Sequence, residues 1–206
     1  KYQTNSGKVL TMQTDNKILV ISGFSGAGKD TIAKLIKEQY GLSFVVSHST
    51  RPMRPGESQG DPYYFISDNE MCTMAFNKEL IEGRYYKSIY GNWFYAAHKD
   101  QIKQDKPYVV VLDVLGYREY KKHFGDRVVG IFIHVDDETR LERAKSRQDF
   151  NIDEWNRRLK DDKTQFNLDT VSKEYNYIID NIDLKNTIKQ VNKVIKTIKS
   201  QELLTC

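Results

Sequence analysis

The chain has 206 residues, 39% hydrophobic and 29% charged, which suits one domain with a sizeable core and room for small inserts. No apolar run approaches the ~20 residues that span a bilayer, and the net charge of +4 is scattered among acids rather than gathered in a basic tract, so neither a membrane nor a nucleic acid is expected as a partner. Two cysteines, Cys72 and Cys206, far apart with one of them the last residue, do not make a disulfide framework, and a reducing cytoplasm is the expected setting.

Residues 1–16 lack an apolar signal segment and read as an N-terminal extension or tag, with Met12 a candidate natural start. From residue 17 onward, short apolar runs alternate with helical patterns. The runs at 17–23, 42–47, 108–114, 128–135 and 175–180 are continuously apolar and β-branched, as strands buried on both faces require. The last helix is the clearest. Its apolar residues Leu184, Ile188, Val191, Ile195 and Ile198 recur at four- and three-residue spacing. Strand and helix in alternation predict an α/β fold of three layers around a five-stranded parallel sheet, with its ligand at the carboxyl ends of the strands. Two stretches depart from the alternation and read as excursions. One is residues 47–105, rich in Tyr, Arg, Gly and Pro, with a helix starting at a Ser67–Glu70 capping box. The other is the charge-dense helical segment 141–165. The core is thus expected from 17–46, 106–140 and 166–206.

After the first strand comes GFSGAGKDT, a glycine-rich turn that opens a helix. Gly23, Gly26 and Gly28 let backbone N–H groups converge on an anion at a helix N-terminus, and Lys29 reaches the outer phosphates of a nucleoside triphosphate. The stretch Phe24, Ser25, Gly26, Ala27, Gly28, Lys29, Asp30 and Thr31 is therefore the expected ATP-binding loop. Asp30 stands where the pattern G-x-x-x-x-G-K-[ST] has a hydroxyl. It is either an oxygen ligand for Mg²⁺, with Thr31 beside it, or a plain acid at a helix N-terminus.

The next signal is SHSTRPMRPGESQGDPYYFIS, from Ser47 to Ser67. Arg51 and Arg54, stiffened by prolines and followed by tyrosines, suit a dianionic phosphate held by guanidinium forks and a phenol. This stretch resembles the guanylate kinase signature S-x-[ST]-T-R-x-x-R-x-G-E-x-x-G-x-x-Y-x-F. The resemblance runs in order from Lys17 to about Ile198, through the phosphate loop, LIEG at 80–83, VVVLDV at 109–114, the segment 141–159 and YIIDNIDL at 177–184. It implies a P-loop nucleoside monophosphate kinase with a monophosphate-binding region at 47–105 and a small helical lid at 141–165. By that resemblance Arg51, Arg54 and Tyr63 hold the acceptor phosphate, Glu57 supports the arginines, Ser47 and Glu82 read the base, and Asp113 lies near the reacting phosphates. Arg147 and Arg158 match the lid arginines that neutralise the transferring group. Arg143 is a further candidate, and Arg157 is expected on another helix face, with pairs such as Asp153 to Arg157.

The chain also departs from the family pattern. Where the family has N-Y-Y-G-[ST], with a phosphate-binding Tyr and a base-reading hydroxyl, this chain reads YGNWFYAAHKD. Aligned from the glycine, Phe94 and Ala96 fall at those positions. Aligned from a following helix, Tyr95 and Ala97 do, and this register is preferred because it restores the phenol. In both the hydroxyl becomes alanine. Leu115 stands where a second acid would follow Asp113. The implied reaction is ATP·Mg²⁺ with GMP or dGMP giving ADP and the diphosphate, in a monomer or homodimer. Two other readings stand beside it. One is a same-fold kinase with another acceptor, another nucleotide or ribose 1,5-bisphosphate, whose kinases also carry Gly-Lys-Asp. The other is a non-catalytic module that binds phosphorylated proteins.

Overall fold

The structure is a computed structural model that describes residues 16–146, 150–165 and 168–203. Along the chain the elements are β1 (Ile18–Gly23), α1 (Lys29–Tyr40), β2 (Ser43–Phe44), β3 (His48–Ser49), β4 (Tyr64–Phe65), α2 (Asp68–Phe76), β5 (Leu80–Ser88) and β6 (Gly91–His98). They continue with β7 (Tyr108–Val111), α3 (Val114–Phe124), β8 (Val128–His134), α4 (Asp137–Lys145), α5 (Ile152–Gln165), α6 (Leu168–Glu174), β9 (Tyr177–Asp180) and α7 (Leu184–Leu203).

Five strands form the expected parallel sheet, in the order β2-β7-β1-β8-β9. Strand alternation divides its core in two. Leu19 and Ile21 face a layer that holds Ile32 and Ile36 of α1 with Val191 and Ile195 of α7. Ile18 and Val20 face Tyr117 and Tyr120 of α3, Phe132 and Tyr175. The apolar stripe of α7 is buried from Val191 to Ile198, but Leu184 is exposed, and the first turn instead buries Thr187, whose hydroxyl bonds the Asn181 side chain at 2.8 Å.

Several strands are shorter than their apolar runs. β7 stops at Val111 because Asp113 turns the chain, its carboxylate capping α3 through the Gly116 N–H at 2.7 Å. Of the run 42–47 only Ser43 and Phe44 pair with β7. The charged helical segment starts earlier than residue 141, because the Asp136 carboxylate accepts from the Thr139 N–H at 2.8 Å and caps α4 there.

Residues 47–105 build a second, four-stranded sheet in the order β4-β3-β6-β5, dominated by the long hairpin of β5 and β6. The Ser67–Glu70 capping box forms at the start of α2. No full helix follows β6. Lys99–Gln101 is a single 3-10 turn, so a helix there cannot set the register of the hairpin.

Candidate active site

A cleft of about 860 Å³ lies between the carboxyl ends of β1 and β7, the second sheet and α5. It brings together Ser25, Lys29, Asp30, Ser47, Arg51, Arg54, Tyr63, Glu82, Tyr95, Asp113 and Arg158 of the sequence-derived set. Its size suits a small-molecule ligand, and its place above the central strands is where ligands sit in open parallel sheets.

The phosphate loop is held open by left-handed backbone. Gly26 and Gly28 have φ of 80° and 86°, which side-chain-bearing residues rarely adopt, and a Cβ on Gly28 would come within 2.6 Å of the Asn181 amide nitrogen. That same amide donates to Ala27 O at 2.8 Å and fixes the loop from behind. The Phe24 and Ala27 side chains are buried in the core, so these residues face a ligand only with their backbone. The Lys29 ammonium donates to Gly23 O and Phe24 O at 2.9 and 3.0 Å. Asp30 is exposed on the first turn of α1, whereas Thr31 is exposed outside the cleft lining.

The half of the cleft formed by residues 47–105 is built around Arg51. Its guanidinium is buried and forms a two-pronged pair with Glu57 at 2.8 and 3.0 Å, and Glu57 also accepts from the Arg54 N–H at 2.8 Å. The Tyr63 and Phe65 rings flank it at 5.6 and 5.2 Å. Glu57 thus stands behind the arginines and outside the cleft lining. Tyr63 stacks edge-on against Tyr95, and Tyr95 against Tyr86, each pair at 5.3 Å. Burial, with Asp30 nearby, keeps the Tyr63 phenol well above its usual range, so it remains a hydrogen-bond donor.

The hairpin register settles which residues share a face. Glu82 pairs with Ala97, Arg84 with Tyr95, and Tyr86 with Trp93. With side chains alternating along a strand, Glu82, Arg84, Tyr86 and Ser88 lie on one side, and all four line the cleft. Phe94 is exposed and packs on Tyr85 on the other face. Glu82 is only 7% exposed, and burial, with Asp113 adding to it, pushes its carboxyl up to about 7 against the pull of Arg84. Asp113 is fully engaged, accepting from Arg84 Nε at 3.2 Å and the Tyr86 hydroxyl at 2.6 Å besides capping α3.

Helix α5 corrects two expectations. Arg157 does not face away. It lines the cleft beside Arg158, and both donate to Glu154, at 2.9 and 2.7 Å. Three- and four-residue spacing on α5 places both arginines over Glu154. Arg157 pairs with Glu154 and Asp161 rather than Asp153. Although burial opposes it, hydrogen bonds from both arginines draw the Glu154 carboxyl down to about 2. Glu154 also accepts from the Ile89 N–H at the hairpin tip, at 3.2 Å, joining α5 to the hairpin. Arg143 lies elsewhere, bonded to the Asn181 and Ile182 carbonyls at 2.7 and 3.1 Å. Arg147 lies outside the described residues.

Sequence reasoning missed Arg84, Tyr86, Arg140, Glu154 and Asp162. Asp162 of α5 accepts from the Ser25 N–H at 2.8 Å and from Arg140 at 3.1 Å, so a carboxylate sits on a phosphate-loop amide. Arg140, 1% exposed, also donates to Ser25 O at 2.9 Å and pairs with Asp137. Both faces of LIEGRYYKS are polar or aromatic, so no apolar alternation singles out Arg84 and Tyr86. The partners of Asp162 lie in parts of the chain too distant for any local pattern.

A family model described as guanylate kinase matches residues 15–198. The chain is 38% identical over 143 residues to guanylate kinase 2, chloroplastic/mitochondrial, of Oryza sativa subsp. japonica, an alignment covering 67% of this chain and about half, 49%, of that protein. It is 29% identical over 197 residues to a guanylate kinase of Helicobacter hepaticus, covering 90% and 92% of the two chains. Among solved structures, the guanylate kinase from Anaplasma phagocytophilum superposes with a TM-score of 0.66 at 25% identity, over 90% of this chain and 87% of that one.

Proposed function

The chain belongs to the guanylate kinase family, and from that premise we propose that it transfers the terminal phosphoryl group of ATP to GMP or dGMP. The observation that carries this reading is the convergence in one cleft of a phosphate loop with its lysine, an arginine-tyrosine cluster and a buried carboxylate. Lys29 and the loop amides hold the ATP phosphates. Arg51, Arg54, Tyr63 and Tyr95 hold the acceptor phosphate, with Glu57 fixing the Arg51 fork. Ser47 and Glu82 take the base, whose ring N–H and exocyclic amine are donors to a carboxylate. Asp113 holds Arg84 and Tyr86 in place beneath it. Arg158, with Arg147 and the newly placed Arg157, neutralises charge as the phosphoryl group moves, because this chemistry depends on positioning and electrostatics. In this division residues 47–105 bind the monophosphate and 141–165 act as the lid.

Among the described residues no group of three His, Cys, Asp or Glu side chains forms a ready cation site. A Mg²⁺ that arrives on ATP needs only one or two protein oxygens, the phosphates and water supplying the rest. Asp30, exposed and lining the cleft, fits that demand, and Thr31 stands further out. Held by Asp30, the cation would supply charge neutralisation to the nucleotide phosphates.

The test is ADP formation from ATP·Mg²⁺ with GMP, dGMP, AMP, CMP, UMP, dTMP and ribose 1,5-bisphosphate as acceptors. Turnover led by GMP or dGMP is expected. Turnover of another acceptor alone would keep the fold and remove the guanine assignment. Phosphopeptide binding without ATP binding would favour a non-catalytic module.

A further inference from the structure

The base-reading corner of the cleft lacks the hydroxyl that the family pattern places there. Ala97, fully buried, sits directly across the hairpin from Glu82 and offers no side-chain donor. Two polar atoms nearby are buried without a hydrogen-bond partner among the described residues: Glu82 Oε2, an acceptor, and Arg84 Nη2, a donor. Buried polar groups are rarely left unpaired, since each forfeits its hydration without compensation. The two residues are separated by one position on the inward face of β5, so a single planar ligand can meet both.

The Arg84 guanidinium is held in place by its other nitrogens. Nε donates to Asp113 at 3.2 Å and Nη1 to Gly83 O at 2.8 Å, which leaves Nη2 as the nitrogen without a hydrogen-bond partner. The pair then demands an acceptor beside adjacent donors. A guanine edge presents that order, with O6 accepting and N1–H and the exocyclic amine donating, whereas adenine presents an amine at position 6 and a lone pair at N1. Adenine would set donor against donor at Arg84 and leave Glu82 facing a lone pair.

We propose that Arg84 is a specificity-determining residue that donates to O6 of the acceptor purine, a hydrogen bond that Ala97 has no side-chain group to make. The inference rests on the reading of this cleft as the acceptor site of a guanylate kinase. It separates the work of the corner, Arg84 reading position 6 and Glu82 reading positions 1 and 2.

The experiment compares kcat/KM of the wild-type chain and Arg84→Met with GMP, 6-thio-GMP, IMP and AMP, at saturating ATP·Mg²⁺. 6-Thio-GMP keeps both donors of guanine and weakens only the acceptor at position 6, and IMP keeps that acceptor and lacks the amine. In Arg84→Met the preference for GMP over 6-thio-GMP should fall toward one and that over AMP should fall about ten- to a hundredfold, as for a charge-assisted hydrogen bond. The preference for GMP over IMP should hold, because Glu82 reads the amine. A uniform loss across all four acceptors, with every ratio preserved, would overturn the inference and leave Arg84 as a brace for Asp113. If Arg84→Met does not fold, the wild-type chain alone decides: a preference for GMP over 6-thio-GMP of about tenfold or more supports the inference, and a ratio near one overturns it. A wild-type chain with no preference for GMP would instead defeat the underlying functional reading, before any variant is compared.

Discussion

The raised pKa of Glu82 turns base recognition into a measurable pH dependence. The free carboxyl titrates at about 7 because burial disfavours its ionised form. Guanine offers two donors, so only the carboxylate binds it well. At pH 6 about one tenth of the free enzyme is ionised there and at pH 8 about nine tenths, so kcat/KM for GMP should rise about tenfold between them. The acceptor phosphate also titrates, near pH 6, and must be separated from the enzyme group. Glu82→Gln does so, because the amide has no charge to lose and retains an acceptor oxygen. The variant should lose about ten- to a hundredfold in kcat/KM for GMP at pH 8. It should also lose the limb near pH 7 and keep the limb near pH 6. The assay is initial-rate ADP formation from pH 5 to 9 at saturating ATP·Mg²⁺. A wild-type profile flat above pH 6, or an unaltered limb in Glu82→Gln, would refute the assignment of Glu82. Stability should move the opposite way. The folded carboxyl holds its proton more tightly than the unfolded one, whose value is about 4.5, so the ligand-free protein should lose stability as the pH rises from about 4.5 to about 7. Thermal melts of Glu82→Gln should lack that decline.

Lys29→Met should lower kcat/KM for ATP by at least about a hundredfold while leaving the melting curve nearly unchanged, because the ammonium bonds two carbonyls of a loop that Asn181 also fixes. Arg51→Lys should raise the KM for GMP about tenfold and destabilise the fold, since a lysine cannot reproduce the fork that Glu57 holds. Asp162→Asn removes a negative charge from the Ser25 amide and from the neighbourhood of Lys29. It should tighten ATP·Mg²⁺ binding several-fold by calorimetry while lowering the melting temperature, because buried Arg140 loses part of its counter-charge.

What was legible in the sequence follows from the range of the interactions. The five core strands show themselves because strands buried on both faces must be apolar throughout, and the phosphate loop because its glycines and lysine serve one local geometry. The hairpin was harder to read. β5 places Glu82, Arg84 and Tyr86 on one face and Tyr85 and Lys87 on the other, and both faces are polar or aromatic, so no apolar stripe marks the alternation. Arg157 was misplaced because adjacent helix positions differ by about 100°, yet a long guanidinium on either position reaches Glu154. Asp162 meets Ser25 across 137 residues, and nothing near either residue announces the pairing.

These pairings also explain how so many cations coexist in the cleft. Arg51 is matched by Glu57, Arg84 by Asp113, Arg157 and Arg158 by Glu154, and Arg140 by Asp162. Each carboxylate fixes the direction of its guanidinium, so the ligand-free site does not bear the full repulsion of its arginines. The pairs differ in what a substrate must do to them. Glu57 binds Arg51 from outside the cleft lining, so a phosphate can add to that pair without displacing it. Glu154 lies in the lining itself, so under the role proposed for them its two arginines would have to turn from it toward the transferring phosphoryl group. Under the proposed ATP site, Asp162 would likewise have to yield the Ser25 amide to a nucleotide phosphate. In the proposed division the acceptor side is therefore built in advance, and the lid side would exchange one anion for another. On that basis, changes at Glu57 should act mainly on GMP binding, and changes at Glu154 on turnover once both substrates are bound.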